Sequence, residues 1–191
     1  MADKKKNLAV RLLMTPVGTA NFVNVFEPRA FEAGDEPKFS VVLTIDKKLP
    51  ASVALQEMKK AVVAVATDRW GKQAEGWLKD GTLRNPIRDG DAPGAHASLK
   101  GTIYFRASED AEHKPPVFDE KGSPLYTDED FYSGCKARMK IDIWSYDAKG
   151  NKGVGLSLRA VQRVALGERL DGRVKVETFE EAPASEVDPL Q

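Results

Sequence analysis

Residues 135–146 read CKARMKIDIWSY. Cys135, Ala137, Met139, Ile141 and Ile143 occupy every second position, the period of a strand with one face in a core. The positions between them carry Lys136, Arg138, Lys140, Asp142, Trp144 and Tyr146. One strand therefore has an apolar side and a side that mixes three cations with two large aromatics. Leu99–Ala107 repeats the arrangement, with Leu99, Gly101, Ile103 and Phe105 facing in and Lys100, Thr102, Tyr104 and Arg106 facing out. Downstream, Gly150-Asn151-Lys152-Gly153 predicts a hairpin turn, and Val154–Val164 a last long strand. In that strand Leu156, Leu158 and Ala160 lie inward, and Ser157, Arg159, Val161 and Arg163 outward. A short strand is expected near Val174–Val176.

Upstream, Leu8–Met14 and Asn21–Phe26 read as strands, and Pro16 and Gly18 mark the turn between them. Lys38–Asp46 places Phe39, Val41, Leu43 and Ile45 on one face and Lys38, Ser40 and Thr44 on the other. The period then changes. Within Ala51–Gly71, Leu55, Met58, Val62, Val65 and Ala66 recur at helical spacing, with Ser52 placed to cap the first turn. Gly76–Gly94, rich in Gly, Pro and Asp, reads as a loop, as does Glu109–Asp130. Three strands, an amphipathic helix and two or three further strands predict a mainly β chain, an OB-fold-like Greek-key barrel with its helix between the third and fourth strands.

The chain has 191 residues, enough for one domain with a real core. Its 29 basic and 29 acidic residues cancel, but unevenly along the chain. After Lys175 come five acids, Glu177, Glu180, Glu181, Glu186 and Asp188, with no further Lys or Arg. Residues 1–176 thus read as the folded domain with a net +5, and 177–191 as a disordered acidic tail. Glu109–Asp130 holds eight acids and two lysines, whereas residues 131–175 hold ten basic residues and four acids. One cysteine excludes an internal disulfide framework and a cysteine-based zinc site. No apolar run reaches the ~20 residues of a membrane span, and the beginning MADKKKNLAV has no apolar signal core. A cytoplasmic protein is expected.

A sheet face mixing cations with Tyr and Trp suits single-stranded nucleic acid. Phosphates take Lys or Arg, and unstacked bases lie on aromatic rings at ~1–3 kcal/mol each, whatever the sequence. Outward Lys and Arg are ordinarily just a solvated or edge-protecting face. Their recurrence with aromatics on two strands is what favours binding. Tyr104, Trp144 and Tyr146 are the expected stacking residues. Lys100, Arg106, Lys136, Arg138 and Lys140 are the expected backbone contacts, with Arg88, Lys152 and Arg159 beside them and Lys149 in the hairpin.

The segment Phe131–Arg173 resembles a known family. Phe131–Cys135 (FYSGC), the aromatic Trp144 and Tyr146, Asn151–Gly153 (NKG), Val161-Gln162 and Gly167–Arg173 (GERLDGR) match the pattern of phage single-stranded-DNA-binding proteins, similar in plan to the T7-like ones. Pro86–Asp91 (PIRDGD) and Tyr104–Ser108 (YFRAS) look like earlier pieces of it, and Asp171 departs from the family's glycine. The resemblance implies an OB-type fold, sequence-independent single-stranded DNA binding and a role in phage DNA replication or recombination, in the host cytoplasm. Proteins of this kind often end in acidic segments. The tail is therefore expected to dock replication or recombination proteins or to compete with DNA for the basic surface, and the plan is compatible with a homodimer.

Other chemistry has weaker signals. Asp89 and Asp91, flanking Gly90, could hold Mg²⁺ for a nuclease or recombination enzyme, although Asp and Gly are ordinary turn residues. A protein-interaction module without a DNA role is a third reading. His96 and His113 form no ligand or triad pattern, Cys135 falls on the inward list, and no P-loop is present. No metal, cofactor or catalytic residue is expected.

Overall fold

A computed structural model of the chain describes residues 8–148 and 150–173. In chain order these form β1 (Val10–Met14), β2 (Gly18–Arg29), β3 (Lys38–Asp46), α1 (Val53–Trp70), α2 (Ala74–Asp80), β4 (Ile87–Asp89), β5 (Thr102–Asp110), β6 (Val117–Phe118), β7 (Pro124–Leu125), β8 (Lys136–Ala148) and β9 (Asn151–Ala165). The expected strand at 174–176, the domain boundary at 176, Lys149 and the acidic tail lie outside the described residues.

Five strands close a ring. β2 pairs with β3, β3 with β5, β9 with β8 and β8 with β2, all antiparallel, and β5 with β9 in parallel. That single parallel pairing within an otherwise antiparallel ring is the Greek-key connection of an OB-type barrel. Two closures are short: β2 meets β8 only at Gly18–Ala137 and Thr19–Lys136, and β5 meets β9 only at Ser108–Ser157. The barrel is therefore partly open. The helix follows the third strand of the chain, as its order suggests. Because β1 lies outside the ring against β8, α1 joins the second ring strand to the third.

Alternation builds the core. Ala137, Met139, Ile141 and Ile143 of β8, Val41 and Leu43 of β3, and Phe105 and Ala107 of β5 are all fully buried. Leu55, Met58, Val62, Val65 and Ala66 form the buried stripe of α1, and Ser52 Oγ caps it by accepting the Leu55 amide at 3.2 Å. Cys135 is buried.

Three expectations change. The strand expected from Leu99 begins at Thr102, because Ala97–Leu99 is a 3₁₀ turn and Gly101 adopts a left-handed φ of 76°. In β9 one residue is inserted at Arg159, since Lys140 faces Ala160 while Ile141 faces Leu158. This bulge reverses the alternation, so Val161, expected outside, joins Leu156 and Leu158 in the core, and Ala160 is only half-buried. The loops expected at 76–94 and 109–130 contain α2 and β4, and β6 and β7. α2 spans seven residues with Gly76 inside it, too short for a periodic signal.

Candidate nucleic-acid interface

The partly open barrel presents a groove of about 720 Å³ on the face of β3, β4 and β5. Phe105 and Ala107 point into the core, so alternation turns Tyr104 and Arg106 into the groove. β4 pairs Arg88 beside Tyr104 and adds a third side chain. The β2–β3 loop contributes Phe31, Asp35 and Glu36, β8 contributes Trp144 and Tyr146, and Phe22 and His96 also line it. The β2–β3 and β8–β9 connections bracket the ligand-binding face of OB-folds in general.

Trp144 is held as a platform. Its register partner is Gly155, and a Cβ there would lie 2.9 Å from the indole ring. The missing side chain lets the indole lie against β9. Its Nε1–H donates to Ser157 Oγ at 3.1 Å, and the Tyr146 ring stands 5.6 Å away at 56°. Trp144 nonetheless remains 41% exposed. Phe31 is 64% exposed, with the Arg106 guanidinium 3.8 Å from its ring centroid. Burial, and next the neighbouring Arg88 charge, lower the affinity of the Arg106 guanidinium for its proton, while Asp35 opposes them. Arg29, Lys38, Arg88 and Arg106 line this groove, and none makes an ion pair among the described residues. Crowded cations with no ion-pair partner favour an incoming anion.

Of the eleven residues expected from sequence, the groove brings together Arg88, Tyr104, Arg106, Trp144 and Tyr146. It does not gather the other six. Lys100 follows the 3₁₀ turn and does not sit on a strand face. Lys136 donates to Thr19 Oγ1 at 2.7 Å, Arg138 to Gln162 Oε1 at 2.9 Å, and Lys140 is exposed beside Met14 of β1. Lys152 stands 4.6 Å from the Trp77 centroid. Arg159 donates to Asp142 at 2.8 Å and to Glu109 at 2.6 Å.

The division of β8 has a cause. Asp142 lies between Lys140 and Trp144 on the same face, and β1 covers it. Its carboxylate accepts from the Leu12 amide at 2.9 Å and from Arg11 at 2.6 Å, besides Arg159, leaving Asp142 only 3% exposed. Burial pushes this carboxyl up, but the Leu12 amide and the Arg11 and Arg159 guanidiniums outweigh burial and hold it below its ordinary range.

Sequence reasoning missed Phe22, Arg29, Phe31 and His96. Phe31 lies in an aperiodic loop, and His96 in a turn with no pattern of its own. Lys38 did stand on the polar list of its strand.

The Asp89–Asp91 pair is committed elsewhere. The Lys47 ammonium donates to Asp89 and, at 2.6 Å, to Asp91, while the Asp91 and Gly101 amides donate to Asp89 and Asp91 at 2.8 and 2.9 Å. The Lys47 hydrogen bonds lower both carboxyls from their ordinary values. An internal cation thus occupies the carboxylates that a nuclease would offer to Mg²⁺. Glu109, Asp110 and His113 also bring metal-ligating atoms together, but Arg159 holds Glu109, and His113 bonds Asp110 at 2.7 Å.

The model of the Enterobacter phage Enc34 ssDNA-binding protein family matches residues 13–188. The chain belongs to this family. Among solved structures, the Enc34 single-stranded DNA-binding protein in complex with ssDNA is 21% identical, with a TM-score of 0.64 over 88% of this chain and 96% of that one. A second structure of the Enc34 single-stranded DNA-binding protein is 22% identical, with a TM-score of 0.58 over 91% and 94%. The single-stranded DNA binding protein gp2.5 of bacteriophage T7 is 21% identical, with a TM-score of 0.56 over 88% and 97%. At these identities the likeness is one of fold. No curated protein matches the chain in sequence.

Proposed function

We propose that this protein binds single-stranded DNA without regard to sequence and protects and organises it during phage DNA replication or recombination in the host cytoplasm. The observation that carries the reading is the groove in which Arg29, Lys38, Arg88 and Arg106 stand among Phe22, Phe31, Tyr104, Trp144 and Tyr146. Membership of the Enc34 family and the shared fold of a relative solved with ssDNA support it. Bases stack on the rings, each contributing ~1–3 kcal/mol with little dependence on base identity. Phosphates meet the four cations and release counterions. The action is passive, with no catalytic step and no cofactor. In the same proposal the acidic segment 177–191 docks replication or recombination proteins or competes for the groove, and its deletion tightens DNA binding at low salt.

The test is a fluorescence titration with oligo-dT at several salt concentrations. Four phosphate contacts predict that log K falls with log salt at a slope of about −3, from ~0.7 per neutralised phosphate on a single strand. Absence of binding at low salt overturns the proposal.

A further inference from the structure

A second groove adjoins the first, and Phe22, Arg29 and His96 line both. It lies along the outer side of β2, off the β3–β4–β5 face. Its aromatic residues include Phe26, Tyr126 and Tyr132. Tyr126 follows β7 and is 75% exposed. No hydrogen bond holds its hydroxyl among the described residues, so its ring is available to stack.

The ridge between the grooves is itself unusual. Phe22 has a φ of 48°, one of two non-glycine residues in the left-handed region among the described residues, and it is 40% exposed. A bulky residue in that conformation is strained and persists where surrounding structure enforces it. Here β2 shifts register against β3 between Asn21 and Asn24. The His96 ring meets Phe22 edge-on, with centroids 5.3 Å apart, and His96 Nδ1 is tied to Ser98 Oγ at 2.8 Å. A strained, exposed aromatic is thus braced where the two grooves meet.

Charge does not close this path to phosphate. Glu27, Asp128 and Asp171 line the second groove, but Arg173 pairs with Asp128, and Arg169 with Asp171 at 3.0 Å. Cations also stand beside two of its rings: Lys114 is 5.8 Å from the Phe26 centroid and Arg169 4.2 Å from the Tyr132 centroid.

We infer that the DNA strand leaves the barrel face over the Phe22–His96 ridge and continues into this second groove, where a base stacks on Tyr126. The inference rests on the proposed DNA binding and extends its site. Continuity with the first groove makes the occupant a longer stretch of the same strand; a protein partner seated there is the competing outcome.

The test uses the full chain and fluorescently labelled oligo-dT of about 4 and about 12 nucleotides, lengths that bracket the range of single OB-fold sites. Tyr126→Ala is expected to leave the short-oligonucleotide affinity unchanged and to weaken the long one about fivefold or more, the loss of one stacked base. Tyr126→Phe, which keeps the ring, is expected to bind both lengths as the parent does. Equal affinities of Tyr126→Ala and the parent at both lengths overturn the second groove as a DNA site and leave it to another partner. A loss at both lengths, or a loss in Tyr126→Phe, overturns stacking on that ring. Failure of the parent to bind either oligonucleotide overturns the DNA-binding proposal itself, a result distinct from the others.

Discussion

The groove and the strip along β9 both gather cations, and they treat them oppositely. In the groove, Arg29, Lys38, Arg88 and Arg106 have no carboxylate partner among the described residues. Along and beyond β9, Arg159 is held by Asp142 and Glu109, Arg163 by Glu120, Arg169 by Glu129 and Asp171, and Arg173 by Asp128. Most of those acids come from the acidic stretch 109–130, which folds onto β9 through the parallel pairing of Val117 with Val161 and Phe118 with Gln162. Half of the eight described cations between residues 131 and 173, the four arginines from Arg159 onward, are thus spent on the chain's own carboxylates, while the groove draws its cations from residues 29–106. Abundance of charge along the chain and availability of charge at a surface are different quantities.

Breaking the paired region should produce the largest effect. Asp142→Ala removes the buried carboxylate shared by Arg11, Arg159 and the Leu12 amide, and an expected loss of about 2–3 kcal/mol follows from its charge-assisted hydrogen bonds and the Leu12 amide left unpaired, both guanidiniums keeping access to water. Urea unfolding measures it, and an unchanged midpoint would show that β1 and β9 do not depend on this contact. The sign with pH follows from the depressed carboxyl. Its stabilisation is present above the unfolded value of about 4 and is lost as pH falls through the lower folded value. Acid unfolding of Asp142→Asn compared with the parent should therefore show a stability difference that narrows below about pH 4.

Next in size is a break in the groove. Trp144→Ala should weaken DNA binding by ~1–3 kcal/mol, equally for oligo-dT and mixed sequences, with little effect on unfolding. A loss confined to one base composition would replace simple stacking with base reading. A smaller effect is expected from Arg88→Ala, which should reduce the magnitude of the salt slope by about 0.7. A full salt series on both proteins checks it, and an unaltered slope would take Arg88 off the phosphate path. The smallest expected effect sharpens the comparison most. Lys136→Ala and Lys140→Ala, on the part of β8 beyond Asp142, should change affinity for a short oligonucleotide by less than about 0.5 kcal/mol, the usual scale for surface changes away from a site. A drop comparable with that of Arg88→Ala would mean that the strand path runs along both halves of β8.

Local patterns carried much of the fold. The buried residues of α1 and its Ser52 cap, the apolar face of β8 and the bounds of β3 were legible because hydrophobic period and capping involve residues a few positions apart. Tyr104, Arg106, Trp144 and Tyr146 were legible for the same reason, since each alternates with a core residue. The phase of β9 beyond Arg159 was not, because an inserted residue is defined only against its partner strand. Nor was the role of Lys47, whose two carboxylate partners lie more than 40 positions away.

By itself, then, the sequence determined the long strands and α1, which side of most of them is apolar, and that cations and aromatics share outward faces. Those properties depend on near neighbours and on burial of apolar surface. Only the tertiary structure decided which of those cations stand beside the rings. Closing the barrel and laying β1 over Asp142 cut β8 into two surfaces. Folding the acidic stretch onto β9 neutralised its arginines, and the β2–β3 loop and the turn at His96 brought Phe31, Arg29 and Phe22 to the groove. Each of these depends on register and contact between distant residues, and local periodicity does not encode such contacts.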